Sequence, residues 1–181
     1  MEWGRLPGIL RIAGKMRMLA DTPPEGAAFR AACAAWGWHY DPAGDPVAEQ
    51  AYYMAFHLPA PARWLHVSLT EGVVRLAVLP LLFWENWDIE FHDSEARYRR
   101  ARAAFDRKFA RALRQAEKRL GPPLRLWTEG DEKLFRKAVW QGRTCLLALQ
   151  QDDYDVQFGY DINFLIQPYQ GTLSEKPELL V

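Results

Sequence analysis

The chain lacks most of the features that mark exported, zinc-stapled or membrane-spanning proteins. Its 181 residues include two cysteines, Cys33 and Cys145, which are isolated and show no Cys-x-x-Cys spacing. Such thiols fit a reducing cytoplasm, where we expect both to be small buried hydrophobic side chains. No apolar run approaches the roughly 18 residues needed to cross a bilayer. Arg11, Lys15 and Arg17 interrupt the apolar region that a signal peptide needs. We therefore expect a cytoplasmic protein without a membrane partner.

Net charge and catalytic motifs are also missing. The 23 basic and 23 acidic residues cancel, which disfavours unspecific binding of nucleic acid. Weak repulsion between copies favours self-association, so a homodimer is one expected state. The sequence contains no Gly-x-Ser-x-Gly, His-Glu-x-x-His, phosphate-binding or dinucleotide-binding signature. We expect no cofactor, and a non-enzymatic role is favoured over an enzymatic one.

What the chain does contain is a large apolar and aromatic content, with 49% hydrophobic residues and eight tryptophans. This is typical of one globular domain with a sizeable core. The Pro23-Pro24 break separates an N-terminal basic segment (1–22) from the domain (23–170), and a tail covers 171–181. The abundance of Ala, Arg and Pro is typical of a bacterial protein from a GC-rich genome.

Strand and helix patterns predict an α+β fold. A helix is expected over 27–38, and residues 47–57 fit either a helix or a strand. Alternation over 64–69 and 73–79 predicts a β-hairpin, and Pro80 predicts a bulge or an edge position. A long helix (94–120), a short helix (131–139) and strands at 143–150 and 156–167, around an acidic turn at 151–155, complete the order. We therefore predict an antiparallel sheet of hairpins packed against one long helix and shorter helices, with a helix-hairpin unit that could occur twice.

The long helix has an apolar side and a basic side. At about 100° per residue, one side carries Tyr98, Ala101, Phe105, Phe109, Ala112, Ala116 and Leu120, which we expect to face the sheet. The other side carries a set that we call the basic stripe: Arg100, Arg107, Arg111, Arg114 and Lys118. Like charges at helical spacing repel, so this stripe indicates a solvated outer face, a surface for an acidic protein, or a nucleic-acid site.

The segment before the long helix is acidic and aromatic. Residues 84–95 include Trp84, Trp87, five carboxylates and His92. If 88–92 is a strand, Asp88, Glu90 and His92 share one face and supply ligand types suited to Mn²⁺, Fe²⁺ or Zn²⁺. The Cα atoms of Asp88 and His92 would lie about 13 Å apart in a regular strand, which is too far for both side chains to bind a single metal ion without a bulge. A solvated sheet face and a polar interface anchored by a tryptophan are the alternatives.

Charge could also be neutralised within the protein, because residues 85–95 contribute −5 and residues 152–161 contribute −4. These acidic regions could face the basic stripe in the fold or across a dimer.

The layout of the second half is broadly similar to that of small bacterial immunity proteins encoded beside toxins. The similarity rests on the long helix that ends in Leu120-Gly121-Pro122, followed by Trp140 and an antiparallel hairpin. It implies binding to another protein, as in an immunity factor, chaperone or adaptor. The expected binding residues are Trp84, Trp87 and the acidic segment, or the basic stripe. A metal-dependent hydrolase using Asp88, Glu90 and His92 is the first alternative, and nucleic-acid binding through the long helix is the second.

Overall fold

The fold is α+β, as the sequence predicts: in the residues that it describes, a computed structural model shows three helices and an eight-stranded antiparallel sheet. The structure describes residues 8–40, 53–58, 63–84, 94–127, 134–155 and 159–169. Within these ranges, none of the helices combines the length and the apolar character that a transmembrane segment requires.

The elements follow one another in the order α1, α2, β1 to β4, α3, β5 to β8. The helices are α1 (Ile9–Ala20), α2 (Gly26–Ala35) and α3 (Ser94–Leu120). The strands are β1 (His39–Tyr40), β2 (Tyr53–Leu58), β3 (Arg63–Thr70), β4 (Val73–Trp84), β5 (Arg125–Trp127), β6 (Leu134–Gln141), β7 (Cys145–Asp155) and β8 (Gly159–Pro168).

The sheet consists of two four-stranded meanders that meet in the middle. Its spatial order is β1-β2-β3-β4-β8-β7-β6-β5, and β4 pairs antiparallel with β8. The predicted helix-hairpin repeat is not confirmed, since each half contributes four consecutive strands. Among the described residues, β1 and β5 are the outermost strands of the sheet.

All three helices share one apolar core with the sheet. The core includes Phe29 of α2, Phe105 and Phe109 of α3, and Phe164 of β8, all buried. Helix α1 contributes buried side chains at Ile9, Ile12, Ala13, Met16, Leu19 and Ala20. Residues 9–20 of the predicted N-terminal basic segment form this helix. The predicted domain boundaries stay predictions, although α1 shares its core with residues of the predicted domain.

The end of α1 is attached to the turn between β6 and β7. The Thr144 hydroxyl donates to the Ala20 carbonyl at 3.1 Å, and the Arg143 amide donates to Asp21 at 2.7 Å. A Cβ added at Gly142 would lie 2.5 Å from the Ala20 carbonyl oxygen, a distance that real Cβ atoms do not show. Glycine at 142 therefore allows the helix end to approach the turn.

The other face of the sheet carries a smaller apolar cluster and a polar row. The cluster is formed by Val139, Leu146, Ala148 and Leu165. Beside it, Lys137, Gln150 and Asn163 are buried and lie opposite one another on β6, β7 and β8.

The predicted hairpin and the predicted bulge are confirmed. Strands β3 and β4 pair around Glu71 and Gly72, whose φ angles of 52° and 78° match the two-residue turn that favours hairpins. Pairing between β4 and β8 shifts register between Pro80 and Leu82. This bulge lies in the middle of the sheet and not at an edge. The segment that fitted either a helix or a strand contributes β2.

Two local predictions are wrong. The expected short helix at 131–139 is contradicted by β6, which pairs with both β5 and β7. The acidic residues expected to form a turn at 151–155 continue β7 as far as Asp155. In both segments, pairing with neighbouring strands overrides the local preference of the sequence.

Candidate binding surface on the long helix

Contacts on its two flanks fix the orientation of α3. Towards α1, the Arg119 guanidinium lies over Gly14, where an added Cβ would be 2.8 Å from Arg119 Nε. On the opposite flank, Asp106 accepts a hydrogen bond from Gln151 Nε2 at 2.9 Å and pairs with Arg136 at 3.4 Å. That second flank therefore faces β6 and β7.

The inner side of α3 is apolar, as predicted. Phe105, Phe109, Ala112 and Ala116 are buried, and Leu120 is half-buried. These side chains belong to the core that α3 shares with α1 and the sheet. The side chains of Tyr98 and Ala101 lie outside the described set.

The outer side of α3 presents the basic stripe to solvent. Arg100, Arg107, Arg111, Arg114 and Lys118 are all exposed. The last four form no ion pair with any residue in the described ranges. They fall within about 60° of one another around the helix and extend over about 16 Å along it. The described part of the protein therefore does not neutralise them.

Repulsion within α3 also affects the neighbouring Lys108. Its pKa is lowered, first by partial burial and second by the charge of Arg111 one turn away. Asp106 does not offset the stripe, because its carboxylate is directed to Arg136 and Gln151. The arrangement can therefore attract an anionic surface without first breaking internal ion pairs of Arg107, Arg111, Arg114 and Lys118.

Most of the acidic segment lies outside the described residues. Trp84 ends β4 and pairs with Tyr160 of β8, and nothing is described of its side chain. Trp87, Asp88, Glu90 and His92 lie outside the described residues, so the binding and metal roles predicted for them stay predictions.

The described ranges hold no cluster of three or more His, Cys, Asp or Glu side chains that could bind a metal ion. Asp161 is buried on β8, where Asn163 Nδ2 donates a hydrogen bond to its carboxylate at 2.7 Å.

The two cysteines are free and buried, as expected. Burial raises the pKa of Cys33 to about 12, and it raises the pKa of Cys145 as well. Both thiols stay protonated near neutral pH, so neither supplies a thiolate nucleophile.

Sequence reasoning missed the buried polar row Lys137, Gln150 and Asn163. The alternation of polar and apolar residues in Asp161-Ile162-Asn163-Phe164 was an available signal, because it predicts a polar face on β8. No local signal identifies Lys137 as buried, since lysine is normally exposed.

Comparison with known proteins adds no relative: no family model, curated protein or solved structure matches the chain.

Proposed function

We propose that this protein is a non-enzymatic binding protein that recognises another protein through the basic stripe of α3. The role is that of an immunity factor, chaperone or adaptor. The observation that carries the proposal is the group of four exposed cations, Arg107, Arg111, Arg114 and Lys118, which lack ion pairs among the described residues.

The cost of keeping these charges together favours a binding role over a merely solubilising one. Each like-charged pair at helical spacing destabilises the helix by about 0.2–0.5 kcal/mol. Interspersed acidic residues would remove that cost and keep the helix soluble. A partner with acidic side chains would remove the same repulsion on binding and would be steered towards the surface by charge.

The test is affinity capture from nuclease-treated lysate of the source organism, with wild type and Arg111→Glu/Arg114→Glu in parallel. The new carboxylates would face Arg107 and Lys118 at favourable helical spacing, so the variant should fold at least as stably as wild type. We expect a protein that is recovered with wild type and lost with the variant.

The matched control is Arg75→Glu/Arg143→Glu, which makes the same charge change at two exposed arginines outside α3. It should retain the captured protein. Equal recovery with the stripe variant would contradict the proposal, as would capture that disappears after nuclease treatment.

A further inference from the structure

Two exposed leucines lie at the start of β5, and one of them is on the same face of the sheet as α3. Leu126 is directly opposite Ala138, whose side chain belongs to the helix-side core. Directly opposed residues of an antiparallel pair share a face. Leu126 therefore projects on the side of α3, where it remains 45% exposed, and Leu124, immediately before β5, is 52% exposed. We call this pair the leucine ledge.

The leucine ledge runs beside the C-terminal half of α3. The Trp140 indole donates to the Gly121 carbonyl at 2.9 Å, which fixes the helix end above β6. The Leu124 amide donates a hydrogen bond to the Val139 carbonyl at 2.7 Å. The ledge therefore begins at the level of the sheet where α3 ends. Because β5 lies beyond β6, the ledge is on the flank of α3 that carries Asp106, away from α1.

A step separates the ledge from the basic stripe. A helix with its side chains is about 10 Å thick, so Leu126 of β5 lies well below the outer surface of α3. Glu117 occupies the flank between them and would repel a carboxylate placed low in the step. An occupant would therefore direct its acidic groups upward to the stripe and its apolar groups down to the ledge.

We infer that this step binds an acidic amphipathic helix of a partner protein, an inference that rests on the proposed function. Carboxylates along one side of the helix contact Arg107, Arg111, Arg114 and Lys118. Apolar side chains on the adjacent side cover Leu124 and Leu126. This is recognition of an amphipathic helix in a groove, with anchoring by apolar contacts and orientation by charge.

The geometry favours an acidic protein helix over two other anionic partners, a nucleic acid and a membrane with anionic lipids. A duplex nucleic acid or a flat bilayer that rests on the stripe would leave the recessed Leu126 uncovered. The leucines would also add nothing to phosphate contacts. Only an occupant that fits into the step uses both surfaces.

The experiment measures binding of a synthetic helical peptide with Glu at positions i, i+4, i+7 and i+11 and Leu on the adjacent side. We expect Leu124→Gln/Leu126→Gln to weaken its affinity about tenfold or more, because two apolar contacts are lost. The matched control, Leu10→Gln/Met18→Gln, changes two equally exposed apolar residues on α1 and should leave affinity unchanged. Arg111→Glu/Arg114→Glu should abolish binding, and a peptide with Ser for Leu should bind weakly to every variant.

Two further probes are a short DNA duplex and vesicles that contain phosphatidylserine. Stronger binding of either than of the peptide, without dependence on Leu124 and Leu126, would overturn the inference. Peptide affinity that is undetectable, or unchanged by the ledge variant, would overturn it as well. Lysate capture that still depends on Arg111 and Arg114 would then leave the proposed function standing, whereas loss of that dependence would refute the proposed function itself.

Discussion

Among the residues that the structure describes, charged side chains are paired on the sheet-facing part of α3 and unpaired on much of its outer side. On the flank that faces β6 and β7, Asp106 contacts Arg136 and Gln151, and the neighbouring inner side is filled by Phe105 and Phe109. On the outer side, cations stand next to cations without ion pairs to Arg107, Arg111, Arg114 or Lys118 in the described ranges. The inner side therefore contributes to the free energy of unfolding through burial and pairing. The outer side lowers it slightly through repulsion between cations, and its charges remain accessible to a partner.

The largest effect on stability is expected for Phe109→Ala, on the inner side of α3. Phe109 is buried among α3, α1 and the sheet, and its removal leaves a cavity. We expect a loss of about 3–5 kcal/mol in the free energy of unfolding. Urea unfolding measures this, and Phe109→Leu, which keeps an apolar side chain and removes less volume than alanine, is the control with a smaller expected cost. A loss below about 1 kcal/mol would show that α3 is not anchored as described.

A middle-sized effect is expected for Asp106→Ala. The change leaves the Arg136 guanidinium, which is partly buried, without its carboxylate and removes an acceptor from Gln151. We expect a destabilisation of about 1–3 kcal/mol in urea unfolding. Glu117→Ala removes a carboxylate from the same flank that has no partner within the described residues, so it should change stability by less than about 0.5 kcal/mol. Equal losses of unfolding free energy in the two variants would contradict the stabilising role of the contacts that Asp106 makes with Arg136 and Gln151.

The smallest effect should come from Arg111→Gln, on the outer side. Loss of repulsion with Arg107, Arg114 and Lys108 should stabilise the protein by a few tenths of a kcal/mol at low salt. It should also raise the pKa of Lys108, because Arg111 lowers it. The measurements are urea midpoints at low and high salt and titration of Lys108 by NMR. A gain that persists in high salt would show that its origin is not electrostatic.

Local patterns in the sequence predicted α3 well. Its apolar and basic sides are separated by helical periodicity, and Gly121, with a φ of 81°, ends it as expected. The turn at Glu71-Gly72 likewise has a local signature. These features were predictable because the residues that determine them lie within a few positions of one another.

Features that depend on distant residues could not be predicted in this way. The contact between Ala20 and Thr144 joins positions more than 120 residues apart. The sequence of β6 does not show the alternation of polar and apolar residues that predicts a strand. The reason is that β6 is buried on both faces, with Lys137 on one and Trp140 on the other. The position of Leu126 beside α3 depends on the pairing of β5 with β6, which no local sequence signal predicts.

The central position of β8 has a consequence for how the chain folds. Ala77 of β4 pairs with Ile166 of β8, about 90 residues later in the chain. Closing so long a loop is slow, and during synthesis β4 emerges well before its neighbour. Until β8 arrives, one backbone edge of β4, a strand of twelve mostly apolar residues, is left without its partner. In the described sheet both edges of β4 are paired, but the nascent chain passes through a stage in which this long apolar strand has an unpaired edge that a chaperone could shield.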